Sequence, residues 1–197
     1  MVIIGLGCRA QVGKDTAAEY IENKFPGKAK RLAFADKLKQ IAMDLFGLTH
    51  EQCYGSKEIK ETIDPRYGLS PREIMQKLGE KMREIHPSIW VDTVFNSTLP
   101  KLKEEGYECF VISDVRYPNE GDQVHAHGGV VVRVDRDAGG TSVGSNHPSE
   151  TSMNDYKEFD FILKNNSSLE DYLTQIEELL EDVEYYGGTK RGNKHRR

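Results

Sequence analysis

Cysteine is scarce in this chain. Its 197 residues hold three, Cys8, Cys53 and Cys109, far apart and without the paired spacing of a zinc site or a redox motif. That excludes a disulfide-stapled secreted fold and leaves free thiols in a reducing compartment as the expectation. Long apolar runs are missing too. The longest is the six residues Val2 to Gly7, and no n-region or cleavage pattern is visible, so neither a membrane span nor a secretory signal is expected. A cytoplasmic location follows. No second histidine stands at ligand spacing from His147, which removes the case for zinc there. Nor is there an excess of positive charge: 27 Lys and Arg face 32 Asp and Glu, a net of -5. The distribution matters more than the sum. Residues 188–197 hold five Lys or Arg and no acid, and taking these from the 27 leaves 22 bases against 32 acids, a net of -10, on the rest. Five clustered bases support salt-dependent, nonspecific contacts, but no ordered reading motif accompanies them, so no specific nucleic-acid binding is expected.

What is present is an alternation of short apolar runs with segments of helical period. Val2 to Gly7 reads as a buried strand, Asp15 to Lys24 as a helix, and Arg31 to Phe34 as a second strand. Asp36 stands where an N-cap would, followed by Leu38, Ile41, Ala42 and Leu45 at helical spacing and by Gly47 as a stop signal. Cys109 to Ser113 and Val130 to Val134 are unbroken and rich in β-branched residues, as central strands of a parallel sheet are. Phe159 to Leu163 adds a strand, and Ser168 to Val183 a helix with Tyr172, Leu173, Ile176, Leu179, Leu180 and Val183 as its core stripe. The pattern predicts a doubly wound α/β fold, a parallel sheet flanked by helices. Residues 1–187 suit one domain. Residues 48–104, all helix and loop, and 136–149, glycine-rich and aperiodic, read as insertions; 188–197 reads as a tail with too little apolar content to pack.

Two glycine patterns compete after the first strand. Gly5-Leu6-Gly7-Cys8-Arg9-Ala10 matches G-x-G-x-x-G/A, the dinucleotide fingerprint, but its helix would contain Gly13, and no acid stands at a strand end about 20 residues on. Arg9-Ala10-Gln11-Val12-Gly13-Lys14-Asp15-Thr16 is the better reading, a phosphate loop between strand and helix. Its backbone N–H groups converge on phosphate oxygens, the helix start adds about half a positive charge, and Lys14 reaches the β and γ oxygens. It departs from G-x-x-x-x-G-K-[ST] at Cys8 and at Asp15, where a carboxylate with the hydroxyl of Thr16 is the expected Mg²⁺ anchor. Asp114, at the end of the 109–113 strand, is a second anchor, and Arg116 aims at the same crevice; the plainer alternative is that Asp114 caps a helix from Pro118 and pairs with Arg116.

Ser70-Pro71-Arg72-Glu73 is a capping box with proline at the first helical position. On that helix Ile74, Leu78, Met82 and Ile85 share a core arc, while Glu73, Lys77, Glu80 and Glu84 share a solvated one. Arg72, Gln76, Gly79 and Arg83 form a third stripe, which suits either a solvated face or an anionic ligand carrying a base.

In order along residues 2–180, Gly13-Lys14-Asp15-Thr16, Phe34-Ala35-Asp36-Lys37-Leu38-Lys39, Ser70-Pro71-Arg72 with Gln76-Lys77-Leu78-Gly79, Ile89-Trp90-Val91, Ser113-Asp114-Val115-Arg116 with Asn119-Glu120, and His147-Pro148-Ser149-Glu150 resemble the phage-type deoxynucleoside monophosphate kinases. The resemblance implies a P-loop nucleotide kinase fold and γ-phosphoryl transfer from ATP, with Mg²⁺, to a deoxynucleoside monophosphate, in the cytoplasm, the host's if the chain is phage-encoded. Residues 48–104 would be the monophosphate-binding insertion and 136–149 the lid, with Arg136 on the transferred group and 147–150 as hinge or, at Ser149, a helix N-cap. Lys39, Arg72 and Arg116 would take the acceptor phosphate, with Asp36, Gln76, Arg83, Trp90 and Glu120 around the nucleoside; for Trp90 a core position is the alternative. The open sheet edges leave room for a homodimer. A phosphomevalonate kinase-like enzyme shares Gly13-Lys14-Asp15 and Asp114-x-Arg116, and a nucleotide-dependent binding module with a basic tail is a third reading.

Overall fold

Residues 1–7, 12–137 and 148–186 are described by the structure, a computed structural model. The chain divides into two compact units, one of Met1–Leu32 and Lys101–Arg197 and the other of Ala33–Pro100.

The first unit holds a five-stranded sheet. Its strands are β1 (Val2–Gly7), β2 (Ala29–Leu32), β3 (Cys109–Val115), β4 (Val130–Asp135) and β5 (Phe161–Lys164), in the order β2-β3-β1-β4-β5 with all neighbours parallel. The three central strands bury both faces: Ile3, Ile4 and Leu6, Phe110 to Ile112, and Val131, Val132 and Val134 are all at most 2% exposed. A parallel sheet covered on both sides requires that. The edges are more polar, with Lys30 and Arg31 on β2 and Lys164 on β5 at least partly exposed. Helices α1 (Lys14–Lys24) and α10 (Leu169–Tyr186) share one core with β1, β3, β4 and β5. Ala17, Ala18 and Ile21 enter it from α1, and Tyr172, Ile176, Leu179, Leu180 and Val183 from α10. Helix α8 (Pro118–Ala126) rests on β1 and β4. The α/β class and the parallel sheet expected from the alternation are observed.

The second unit is helical: α2 (Ala35–Phe46), α3 (His50–Tyr54), α4 (Lys57–Glu61), α5 (Pro71–Ile85), α6 (Ile89–Thr93) and a π-helical turn, Val94–Thr98; the chain then enters α7 (Leu99–Glu104), of which residues 101–104 belong to the first unit. Its core gathers Ala42, Leu48, Cys53 and Ile74, with Met43, Phe46, Leu69, Met75 and Leu78 partly buried around them. Helix α2 ends at Gly47, in the left-handed region at φ 59, and the exposed carbonyls of its last turn find donors. Tyr67 donates its hydroxyl to the Phe46 carbonyl at 2.9 Å and Arg66 Nη2 donates to that of Gly47 at 3.2 Å. Arg66 is held by the buried Asp64, 2.6 Å from Nη2, and its hydrogen bonds draw the Asp64 carboxyl down to about 2. Helix α5 starts as its sequence demands: Ser70 Oγ accepts from Glu73 N at 3.3 Å and Glu73 Oε2 accepts from Ser70 N at 2.8 Å. Cys53 is a free thiol, and burial pushes it up; Cys8 lies outside the described residues.

Several expected boundaries shift, each for a visible reason. Strand β2 covers Ala29–Leu32, not Arg31–Phe34, because α2 already begins at Ala35. Asp36 therefore lies in the first turn, not at the N-cap, and its carboxylate reaches back to accept from Ala33 N at 2.9 Å. Strand β5 starts at Phe161 and not Phe159, since the Asp160 carboxylate takes the Val131 N–H at 2.7 Å and His125 at 2.8 Å, and Phe159 packs edge-on against Tyr156. Leu45 and Ile85, expected in the core, are 69% and 77% exposed. The buried side of α2 runs through Ala42, Met43 and Phe46 instead, and Ile85 is the last residue of α5, where the chain turns away. Among the described residues no helix is long and apolar enough to cross a membrane.

Candidate functional site

The carboxyl ends of β1 and β3 lie side by side at the centre of the sheet, where α/β folds place ligands. After β1, residues 8–11 lie outside the described part, and with them the expected contacts of Arg9, Ala10 and Gln11. The chain is described again at Val12, 3% exposed, and Gly13, which precedes α1 at φ 109, a conformation that favours glycine. Lys14 is the first helical residue and is 7% exposed, an unusual position for a lysine that brings its charge to the positive end of α1. Asp15 and Thr16, next on the helix, are exposed.

Three residues that sequence reasoning passed over hold this loop. Asn165, just after β5, donates Nδ2 to the Val12 carbonyl at 2.9 Å, and Tyr172 of α10 donates its hydroxyl to the Gly13 carbonyl at 3.1 Å. Burial pushes the Tyr172 phenol well up, so it remains a donor. From β2, Arg31 pairs through Nη2 with the Asp15 carboxylate, while its Nε lies 3.4 Å from Ser113 Oγ on β3. No local pattern marks these residues, because their partners are far away in sequence.

At the end of β3 the register slips: Gly5 pairs with Ile112 but Gly7 with Val115, so β3 carries one extra residue beside the carboxyl end of β1. Bulges of this kind re-aim side chains next to sites. Asp114 is half-buried within the strand, which continues to Val115, and it does not cap α8. That task falls to Glu120, 3% exposed, whose Oε2 accepts from Arg116 N at 2.7 Å and Tyr117 N at 3.1 Å. Glu120, expected beside the nucleoside, thus braces the backbone of Arg116. Arg116 itself is half-buried. Beyond β4, Arg136 is exposed, and the next residue is pinned by Asn166, which accepts from Asp137 N at 2.7 Å and donates to Asp137 Oδ2 at 2.7 Å. Most of the expected lid, 138–147 with His147, lies outside the described residues; α9 (Pro148–Thr151) begins at Pro148, so Ser149 is inside the helix and not its N-cap.

In the helical unit, Lys39 on α2 is held between an acid and a ring. Its Nζ lies 3.8 Å from Asp36 Oδ1 and 4.1 Å from the centre of the Tyr54 ring, and the Tyr54 hydroxyl lies 3.3 Å from the same carboxylate oxygen. Tyr54 was not anticipated. On α5 the expected polar stripe is partly occupied at Gly79. Gly79 is buried because Leu38 Cδ2 and Arg83 Nη1 come within 3.4 Å of where a Cβ would stand, and Trp90 donates Nε1 to the Gly79 carbonyl at 3.3 Å. Trp90 is 3% exposed, so packing and not stacking on a base accounts for it. Gln76 and Arg83 are half-buried. Among the described residues the buried Arg72 Nε has no hydrogen-bond acceptor in reach; Glu61 Oε1 is 3.6 Å away.

No three His, Cys, Asp or Glu side chains converge on a metal position among the described residues. The chain matches the family model described as deoxynucleotide monophosphate kinase over residues 46–176, a stretch that starts after Lys14 and includes α3 to β5. It is 35% identical over 186 residues to a protein of Acanthamoeba polyphaga mimivirus named "Putative deoxynucleotide monophosphate kinase", covering 89% of this chain and 94% of that one. In structure it is similar to dephospho-CoA kinase from Campylobacter jejuni, with a TM-score of 0.47 and 15% identity over 92% of this chain and 96% of that one.

Proposed function

The chain belongs to the deoxynucleotide monophosphate kinase family and is a nucleotide kinase, and on that premise we propose that it transfers the γ-phosphoryl group of ATP to the 5'-phosphate of a deoxynucleoside monophosphate. The observation that carries the donor half is the sequence Gly13 at φ 109 followed by Lys14 at 7% exposure, at the start of α1 and beyond the carboxyl end of β1. Backbone N–H groups and helix dipole there favour an anion, and a buried ammonium suits the β and γ oxygens.

In the reaction the bond from the γ-phosphorus to the β–γ bridging oxygen breaks as a bond from an acceptor phosphate oxygen forms, giving ADP and the deoxynucleoside diphosphate. A phosphomonoester loses its second proton near pH 6, so the attacking oxygen is already ionised at neutral pH and no general base is needed. The chain's task is positioning and charge neutralisation. Lys14 would hold the donor's β and γ oxygens, Arg136 the transferred group, and Lys39, Arg72 and Arg116 the acceptor phosphate. Gln76 and Arg83, with Asp36, would line the nucleoside. The buried Arg72 Nε supports its assignment: an unmade buried hydrogen bond costs about 1–3 kcal/mol, and a phosphate oxygen would supply the missing acceptor.

The donors present suit Mg²⁺ brought by the nucleotide. Asp15, 81% exposed and shared with Arg31, and Asp114 are hard oxygen ligands, Thr16 adds a hydroxyl, and one or two carboxylates plus phosphate oxygens form the usual Mg²⁺ shell. When bound it would offset charge on the β and γ phosphates.

The test is a coupled ADP-release assay with ATP and a panel of deoxynucleoside and ribonucleoside monophosphates plus phosphomevalonate. Turnover with at least one deoxynucleoside monophosphate is expected; turnover with phosphomevalonate alone would overturn the nucleotide reading.

A further inference from the structure

Val12 and Gly13 expose carbonyls to side chains from the far end of the chain, and peptide planarity gives this a consequence. In a trans peptide the C=O of one residue and the N–H of the next point in opposite directions. The Val12 carbonyl belongs to the same rigid plane as the Gly13 N–H, and the Gly13 carbonyl to that of the Lys14 N–H. Whatever holds the two carbonyls therefore aims the two N–H groups the opposite way. Asn165 Nδ2 holds the first at 2.9 Å and the Tyr172 hydroxyl the second at 3.1 Å; the second also accepts from Ala17 N at 3.1 Å as part of α1.

We propose that Asn165 is a positioning residue for the donor triphosphate, acting through the Val12–Gly13 peptide, with Tyr172 as its weaker partner on the next one. The fit is reciprocal. A Cβ on Gly13 would stand 2.4 Å from Asn165 Nδ2, so glycine is required there by the amide as well as by φ. Asn165 is itself fixed, since its N–H donates to the Asp135 carbonyl at 2.8 Å, and its neighbour Asn166 makes the two bonds to Asp137. The Asn165-Asn166 dipeptide thus sets the phosphate loop and the backbone around Arg136 from one point on the chain. The inference rests on the proposed reading only in taking the Gly13–Lys14 loop as the triphosphate site.

The experiment compares wild type, Asn165→Ala, Asn165→Asp and Tyr172→Phe in the full-length chain. Calorimetry reads ATP affinity without acceptor, kinetics read KM for ATP and for the acceptor, and melting curves without nucleotide check folding. Loss of an oriented hydrogen bond predicts about tenfold weaker ATP binding for Asn165→Ala. Asn165→Asp, which keeps the size but cannot donate, should do no better, and Tyr172→Phe should weaken binding by about threefold. Acceptor KM should stay within about twofold in all three. ATP affinity within about twofold of wild type in a folded Asn165 variant would overturn the inference, as would acceptor KM rising as much as ATP KM. If neither Asn165 variant folds, Tyr172→Phe decides: wild-type ATP affinity would overturn it. Wild type that binds ATP but phosphorylates no monophosphate would defeat the proposed function while leaving the Asn165 comparison intact; wild type that binds no ATP would defeat both.

Discussion

At Gly13 two constraints meet, a left-handed backbone and an amide nitrogen where a Cβ would go. Gly13→Ala should therefore displace the loop and weaken ATP binding by more than tenfold, beyond the roughly 1–2 kcal/mol of backbone strain alone; calorimetry reads it directly, and unchanged affinity would show that the loop does not hold the triphosphate. Arg72 makes the complementary case on the acceptor. Arg72→Ala should raise acceptor KM by about tenfold and leave ATP KM unchanged, whereas equal effects on both would make its buried Nε a structural feature. Which residues could be read beforehand follows from where their partners lie. Gly13 and Lys14 stand out in the sequence because the pattern that marks them as candidates is local. Asn165, Tyr172 and Arg31 are not, since a hydrogen bond to Val12, Gly13 or Asp15 arises only when distant strands come together. Gly79 and Trp90 show the converse: both were visible, but Leu38 and the indole itself occupy the space that a sequence leaves open for a ligand.

Among the elements, α5 was the most readable, because a capping box and an N1 proline specify its start within four residues. Ser70→Ala removes that cap and should cost about 1 kcal/mol, seen as a lower denaturant midpoint. The turn behind α2 sets a pH dependence. The folded Asp64 carboxyl sits at about 2, drawn down first by its hydrogen bond to the Arg66 side chain, against about 3.9 in an unfolded chain. Its stabilisation is then fully present above pH 4 and is lost as pH falls toward 2. Trp90, the single tryptophan, belongs to the same unit, so its fluorescence should report acid unfolding that is less steep between pH 4 and 2 in Asp64→Asn. An identical slope in the variant would assign the acid sensitivity elsewhere. Strand ends were harder to read, because Asp36 and Asp160 take backbone N–H groups at the points where strand periodicity alone would continue.

Across the whole molecule, alternating strands and helices revealed the α/β class, but nothing local dictates that β1 should lie between β3 and β4. That order follows from pairing, and it brings the carboxyl end of β1 beside the bulged end of β3. Net charge was a poor guide at this scale. A chain at -5 is proposed to bind two polyanions through a few cations, Lys14, Lys39, Arg72, Arg116 and Arg136, because function depends on charge at a site and not on the sum. Phosphoryl transfer between nucleotides is measured by following the label from [γ-³²P]ATP in the presence of each deoxynucleoside monophosphate. Label is expected in the β-phosphate of a deoxynucleoside diphosphate, abolished by Lys14→Ala. Label appearing only as inorganic phosphate would contradict it.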